Sequence, residues 1–173
     1  TWFQYVYPYK SNLEIGEYAE TMSKFKTGFP ILVSSVYEQV CQELLKEKQN
    51  TIFSFGKVGR WWNNDNEIDI VGLNSDTKQI IFCECKWSNK DIGTNILNDL
   101  IQKSKTVQWH NDVRKEYFAL FSKVGYTKDL IREATTMGNI YLFKQDQLLS
   151  DINSTNTRYT KQTRIKCAAT ASR

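Results

Sequence analysis

Glu67-Ile68-Asp69-Ile70-Val71, the turn-rich Asn74-Ser75-Asp76-Thr77 and Gln79-Ile80-Ile81-Phe82-Cys83-Glu84-Cys85-Lys86-Trp87 read together as two β-strands joined by a hairpin. Strand side chains alternate, so Glu84 and Lys86 share one face while Cys83 and Cys85 take the other. By the same rule Glu67 and Asp69 share a face, and Ile68 and Ile70 both point the opposite way. A hairpin turned tightly at Asp76-Thr77 sets Val71 against Phe82, Asp69 against Glu84 and Glu67 against Lys86. Two carboxylates then stand side by side, with Cβ atoms ~4.5–5.5 Å apart.

Like charges placed so destabilise a sheet unless something neutralises them. A hard divalent cation does so, and Mg²⁺ commonly takes one or two carboxylates together with water and phosphate oxygens. Lys86 projects the same way and can hold a water nucleophile or stabilise phosphate charge. A register shifted by one residue would set Asp69 against Cys83 or Cys85 and undo the pair. Glu67, opposite Lys86 in this register, reads either as a salt-bridge partner or as a further ligand.

Outward from the hairpin, the spacing gives a mixed order of helices and strands. Ser11-Asn12-Leu13-Glu14 has the form of a capping box opening a helix with Ile15, Tyr18, Ala19, Met22 and Phe25 on one stripe. Gly28 is placed to end that helix, and Pro30 to open the next. The second helix runs to about Lys48, with Val33, Val36, Tyr37, Val40, Cys41, Leu44 and Leu45 on its apolar face. Thr51–Phe55 reads as a short strand ended by Gly56. Beyond the hairpin come a helix from Thr94 to about Trp109, a strand at Tyr117–Phe121, a helix capped by Thr127 and stopped by Gly138, and a strand at Ile140–Phe143. The order is α, α, β, β, β, α, β, α, β, a mixed α/β sheet with helices on its faces.

Composition narrows the classes. The chain has 173 residues, 40% of them apolar and 13% aromatic, which excludes wholesale disorder, collagen and coiled coil. No apolar run approaches the ~20 residues a membrane helix needs, and the first thirty residues show no basic stretch followed by an apolar one. Four scattered cysteines suit a reduced, cytoplasmic protein. The net charge is +4, and 151–173 alone holds Arg158, Lys161, Arg164, Lys166 and Arg173 against Asp151. Bulk charge therefore argues for nucleic acid only through this polar tail, which is expected to be disordered. Cys83 and Cys85 would supply half a zinc site, but zinc needs about four ligands, and the remaining soft residues are Cys41, Cys167 and the single His110. They are expected to be small core residues. One histidine also leaves no two-His metal site.

Asp69 with Glu84-Cys85-Lys86, preceded by a helix bearing Glu38, resembles the PD-(D/E)XK nuclease superfamily. More closely, Phe55-Gly-Lys-Val-Gly-Arg-Trp-Trp62, Glu67–Val71, Glu84–Ser88, Tyr117–Lys123 and the opening Trp2–Pro8 resemble the nuclease-like C-terminal domain of archaeal STAND/AAA-type ATPases. The likeness runs from about residue 2 to 145. It implies a restriction-endonuclease-like αβββαβ core at 31–149 behind an N-terminal helical segment at 1–30; the polar basic tail at 150–173 does not resemble the family. It further implies Mg²⁺ or Mn²⁺ held by Asp69, Glu84 and the Cys85 backbone carbonyl, Lys86 as the catalytic lysine, and Glu38 as an outer carboxylate. Ile68 stands where the motif has proline.

The function implied is metal-dependent DNA endonuclease, in a longer chain whose ATPase part is absent here, since no Walker-type glycine-rich motif occurs. A homodimer is also among the expected partners. The alternative is a catalytically silent module of the same fold, used for binding nucleic acid, dimerisation or regulation. Arg60-Trp61-Trp62 would stack on bases and bond phosphates, or else fill space under a loop. Lys103, which with Gln102 and Lys105 lies off the apolar stripe of its helix, and Lys123, just past a strand end, are lesser candidates for nucleic-acid contact. A solvated face is the plainer reading for the helix residues.

Overall fold

The computed structural model describes residues 2–149. The expected tail at 150–173 lies outside the described residues. A π-helical turn at Trp2–Val6 and a 3-10 turn at Tyr7–Tyr9 lead into α1 (Lys10–Glu14), α2 (Tyr18–Glu47) and α3 (Gln49–Ile52). Then follow β1 (Lys57–Asn63), β2 (Asn66–Asn74), β3 (Gln79–Lys86), α4 (Thr94–Ser104), β4 (Lys115–Ser122), α5 (Lys128–Met137), β5 (Ile140–Lys144) and β6 (Gln147–Leu148). The strands form one mixed sheet in the order β1-β2-β3-β4-β5-β6. The β3/β4 and β4/β5 pairs are parallel, and the others antiparallel. No helix among the described residues is long and apolar enough to cross a membrane.

Two cores follow from the two faces of the sheet. On one, Leu97 and Leu100 of α4 and Leu130 and Ala134 of α5 cover Val71, Ile80, Phe82, Phe118 and Leu120. On the other, Tyr37, Cys41 and Leu45 of α2 cover Ile70, Ile81, Cys83, Cys85, Ala119 and Phe121. β3 and β4 are buried on both faces, which is why they read as continuous apolar runs rather than alternations. Tyr126 donates its hydroxyl hydrogen towards the Leu120 and Phe143 carbonyls, stitching β4 to β5 from below.

The predicted hairpin register holds from Asn74↔Gln79 through Val71↔Phe82 to Ile70↔Cys83. The Asn74 side chain fixes the turn, accepting from the Asp76 and Thr77 amides at 3.0 and 3.2 Å. Thr127 caps α5 by accepting from Leu130, and Gly138 ends it in the left-handed region at φ 72°.

Elsewhere the structure departs from the reading. The break expected at Gly28 falls instead at Gly16, left-handed at φ 84°, so α1 ends at Glu14 and α2 runs through Gly28, which is not left-handed and forms no cap. Pro30 sits inside α2, where a proline costs about 3 kcal/mol. Phe25 and Phe29, one turn apart with ring centroids at 4.9 Å, bridge the weak point. Ser11 lies within α1 and caps nothing. Thr51–Phe55 is not a strand: Ile52 closes α3, and Phe53 and Phe55 turn into the second core. The first strand is instead β1, an edge whose Lys57 and Arg60 discourage further pairing. α4 stops at Ser104, where the Arg114 guanidinium takes the Ser104, Val107 and Trp109 carbonyls.

One irregularity bears on everything that follows. Gly59 faces Val71 and Trp61 faces Ile68, so Asp69 and Ile70 together stand opposite Arg60 alone. This is a β-bulge in β2. It overturns the expectation that Ile68 and Ile70 share a face: Ile68 enters the first core and Ile70 the second.

Removing the Tyr126 hydroxyl leaves two strand-end carbonyls short of a donor. Tyr126→Phe is expected to lower unfolding stability by about 1–3 kcal/mol, read by urea denaturation.

Candidate metal centre

The bulge ends the β2–β3 ladder at Ile70↔Cys83, and the next amide of β3 with the same orientation is that of Cys85. The Asp69 side chain takes the place of the missing strand backbone, its Oδ2 accepting from the Cys85 N–H at 2.7 Å. Asp69 is thus held against β3, as the hairpin reading expects, by a carboxylate–amide bond rather than by strand pairing.

Glu84, only 5% exposed, is the most deeply buried acid among the described residues. Its Oε1 accepts from Lys86 Nζ at 2.6 Å. Its Oε2 is buried without a hydrogen-bond partner, and the nearest cation is Lys103 Nζ of α4 at 3.5 Å, an ion pair without hydrogen-bond geometry. Lys103 also pairs with Asp99 at 3.1 Å. Partial burial alone would lower the Lys103 pKa, but the charges of Glu84 and Asp99 outweigh it and raise it.

Burial, and after it the Glu84 charge, pushes the Asp69 pKa up to about 6. The Cys85 amide pulls the other way, Glu38 adds to the rise, and Lys86 opposes it. Asp69 and Glu84 are therefore near enough to repel, with an unpartnered buried oxygen beside them.

Glu38 reaches the site from α2, where it pairs with Arg60, and Arg60 also pairs with Glu67 at 3.0 Å. The expected Glu67–Lys86 pairing does not form, since the bulge turns Glu67 towards β1, opposite Trp62. Lys103 faces the site instead of standing on a purely solvated face; Gln102 and Lys105 pair with one another at 3.1 Å. Trp61 packs on the first core, whereas Trp62 is 72% exposed on the β1–β2 hairpin. Lys123 lies away from the acids, with Nζ 4.6 Å from the Trp87 ring centroid and donating to Asn89 at 2.8 Å.

Cys83 and Cys85 are buried beside Cys41 in the second core. Burial raises both thiols well above their usual pKa. His110 is an exposed left-handed residue against Trp109. Among the described residues no group of three or more His, Cys, Asp and Glu is spaced to hold a metal. The two-carboxylate donor set nonetheless suits a hard cation that keeps much of its water, and the unpartnered Glu84 oxygen is the atom such an ion would satisfy.

Residues 2–116 match the profile of DUF234, described as "Archaea bacterial proteins of unknown function". The chain belongs to this family. The DUF234 match includes Glu38, Arg60, Glu67, Asp69, Glu84, Lys86 and Lys103, and stops short of Lys123. The chain is 34% identical over 128 residues to an uncharacterized protein of Methanocaldococcus jannaschii, covering 70% of this chain and 28% of that protein. It is 31% identical over 99 residues to alpha-mannosidase D of Dictyostelium discoideum, covering 54% of this chain and 8% of that protein. The chain thus spans well under a third of either relative. No solved structure matches it significantly.

The folded-state pKa of Asp69 stands above its unfolded value of 3.8, so the native state holds the extra proton between about pH 4 and 6. The metal-free protein should lose stability from this group as pH rises through that window. The difference in urea midpoint between Asp69→Asn and the native chain is expected to widen in favour of Asn from pH 4 to 7.

Proposed function

We propose that this domain is a metal-dependent deoxyribonuclease of the PD-(D/E)XK kind. The observation that carries the reading is the buried Glu84 oxygen without a hydrogen-bond partner, set beside an Asp69 whose proton affinity burial and then Glu84 raise. Asp69 and Glu84, with the Cys85 backbone carbonyl, are the groups that would hold Mg²⁺ or Mn²⁺. Such an ion, when bound, acidifies water and offsets charge on a phosphate.

The chain's own residues contribute positioning and charge. The Cys85 amide fixes the Asp69 carboxylate, and Lys103 holds Glu84 from the α4 side. Lys86, with a side chain 39% exposed, can leave Glu84 for a substrate phosphate or for the water that attacks it. Trp62, on the adjoining hairpin, offers an open ring for stacking. In this reading the partner is DNA, the setting is cytoplasmic, and the domain works in a longer chain with an ATPase part, singly or as a homodimer.

A second reading, a catalytically silent module for binding or regulation, is favoured by one feature. Lys86 and Lys103 already lie against Glu84, so the site partly neutralises itself.

Two measurements separate the readings. Mn²⁺ or Mg²⁺ should raise the melting temperature of the native chain, as any ligand selective for the folded state must, and Asp69→Ala should abolish the rise. Nicking of supercoiled plasmid should fall about 10²-fold or more in Lys86→Ala and Asp69→Ala. Equal nicking by all three proteins, or no thermal response to either ion, would defeat the nuclease assignment.

A further inference from the structure

Arg60 is the cation that the sequence places least obviously. It stands alone opposite the Asp69–Ile70 bulge, the position from which a side chain can reach acids on both α2 and β2. One arm of its guanidinium bonds Glu38 Oε2, and the other lies 3.0 Å from Glu67 Oε1. Glu38 is 22 residues away in sequence, and this contact joins α2 to the hairpin. The same cluster extends inward: Glu38 and Glu84 both act on Asp69, and Asp69 acts on Arg60. At its inner end Glu84 is 5% exposed, with Oε2 unpartnered.

A planar guanidinium can hold two carboxylates at once, which an ammonium cannot do with the same geometry. While it does so, Glu38 is committed to Arg60 and only Asp69 and Glu84 stand ready as ligands, in keeping with the lack of a three-acid group. We infer that Arg60 is a built-in competitor for the divalent ion, a positioning residue whose clamp on Glu38 withholds that carboxylate from the Asp69–Glu84 centre. The inference rests on the metal-site reading above and adds to it the group that regulates ion uptake. Its consequence runs against intuition for a basic residue near a proposed phosphate site: removing Arg60 should strengthen metal binding, because an acidic cluster deprived of its resident cation attracts another.

Mn²⁺ titration monitored by the EPR signal of the free ion reads this without requiring turnover. R60A is expected to bind Mn²⁺ about tenfold more tightly than the native chain, the effect of releasing a pair of partly exposed ion pairs. The double variant R60A/E38Q should return to the native affinity, since Glu38 is the carboxylate released, whereas R60A/E67Q, of the same net charge, should keep most of the gain. R60K should fall between native and R60A, and it carries the test if circular dichroism shows R60A to be unfolded. Binding by R60A no tighter than native would overturn the inference while leaving the metal centre intact. So would a full gain kept in R60A/E38Q, which lacks the carboxylate said to be released, or a return to native affinity in R60A/E67Q, which would reduce the effect to net charge. If no protein in the series binds Mn²⁺, the metal centre and the inference fall together.

Discussion

At the point where β2 leaves β3, the Cys85 amide would be left without a strand acceptor. The Asp69 carboxylate supplies one at 2.7 Å, and the site is arranged around that substitution. A charged acceptor makes a stronger bond to an amide than a carbonyl does. Here the bond also brings an acid to the end of a strand whose next residue, Glu84, is buried. The bulge is what makes this affordable in geometry: it absorbs one residue, sends Ile68 and Ile70 into different cores, and leaves Asp69 at the break.

Electrostatically, acids and cations interleave from α2 to α4, an alternation broken only where Asp69 and Glu84, of like sign, adjoin. Glu38 and Glu67 share Arg60, Asp69 follows, and Glu84 lies between Lys86 and Lys103, which also touches Asp99. Such alternation lets several acids gather without a bound ion. The arrangement is not fully satisfied, however, since one Glu84 oxygen remains buried and unpartnered. A buried acceptor left in that state costs free energy comparable with a lost hydrogen bond, and sites of chemical work are where folds tend to retain such costs. The Arg60 clamp adds an ionic tie between α2 and the edge hairpin to the apolar packing of the second core, so the charge chain has a mechanical side as well as an electrical one.

The hairpin was legible because two independent signals agreed: the alternation of Glu84 and Lys86 with Cys83 and Cys85, and the Asn-rich turn that fixes the register. The mixed sheet and the capping of α5 were legible for similar local reasons. The bulge was not, since Ile68-Asp69-Ile70 alternates equally well in an unbroken strand, and only pairing with β1 reveals the extra residue. β1 itself escaped notice because Lys57, Gly59, Arg60 and Asn63 have weak strand preference; it forms because β2 offers it a partner. The Glu38–Arg60 contact joins a helix to a strand across 22 residues, a distance at which periodicity carries no information. Gly28 and Pro30 misled for the opposite reason: both are strong local punctuation, yet α2 runs through them.

The bulge also sets a rule for anyone who would rebuild this hairpin. Inside it, from Ile70 to Asn74, β2 keeps step with β3; outside it, from Asn66 to Ile68, the strand follows β1 in the opposite parity. A loop grafted at Asn64-Asp65 inherits only the outer parity, so its length can vary while the inner ladder stays in place. Deleting Asp69 would instead straighten the strand with Ile68 still opposite Trp61 and on the first core, and would strip the Cys85 amide of its acceptor.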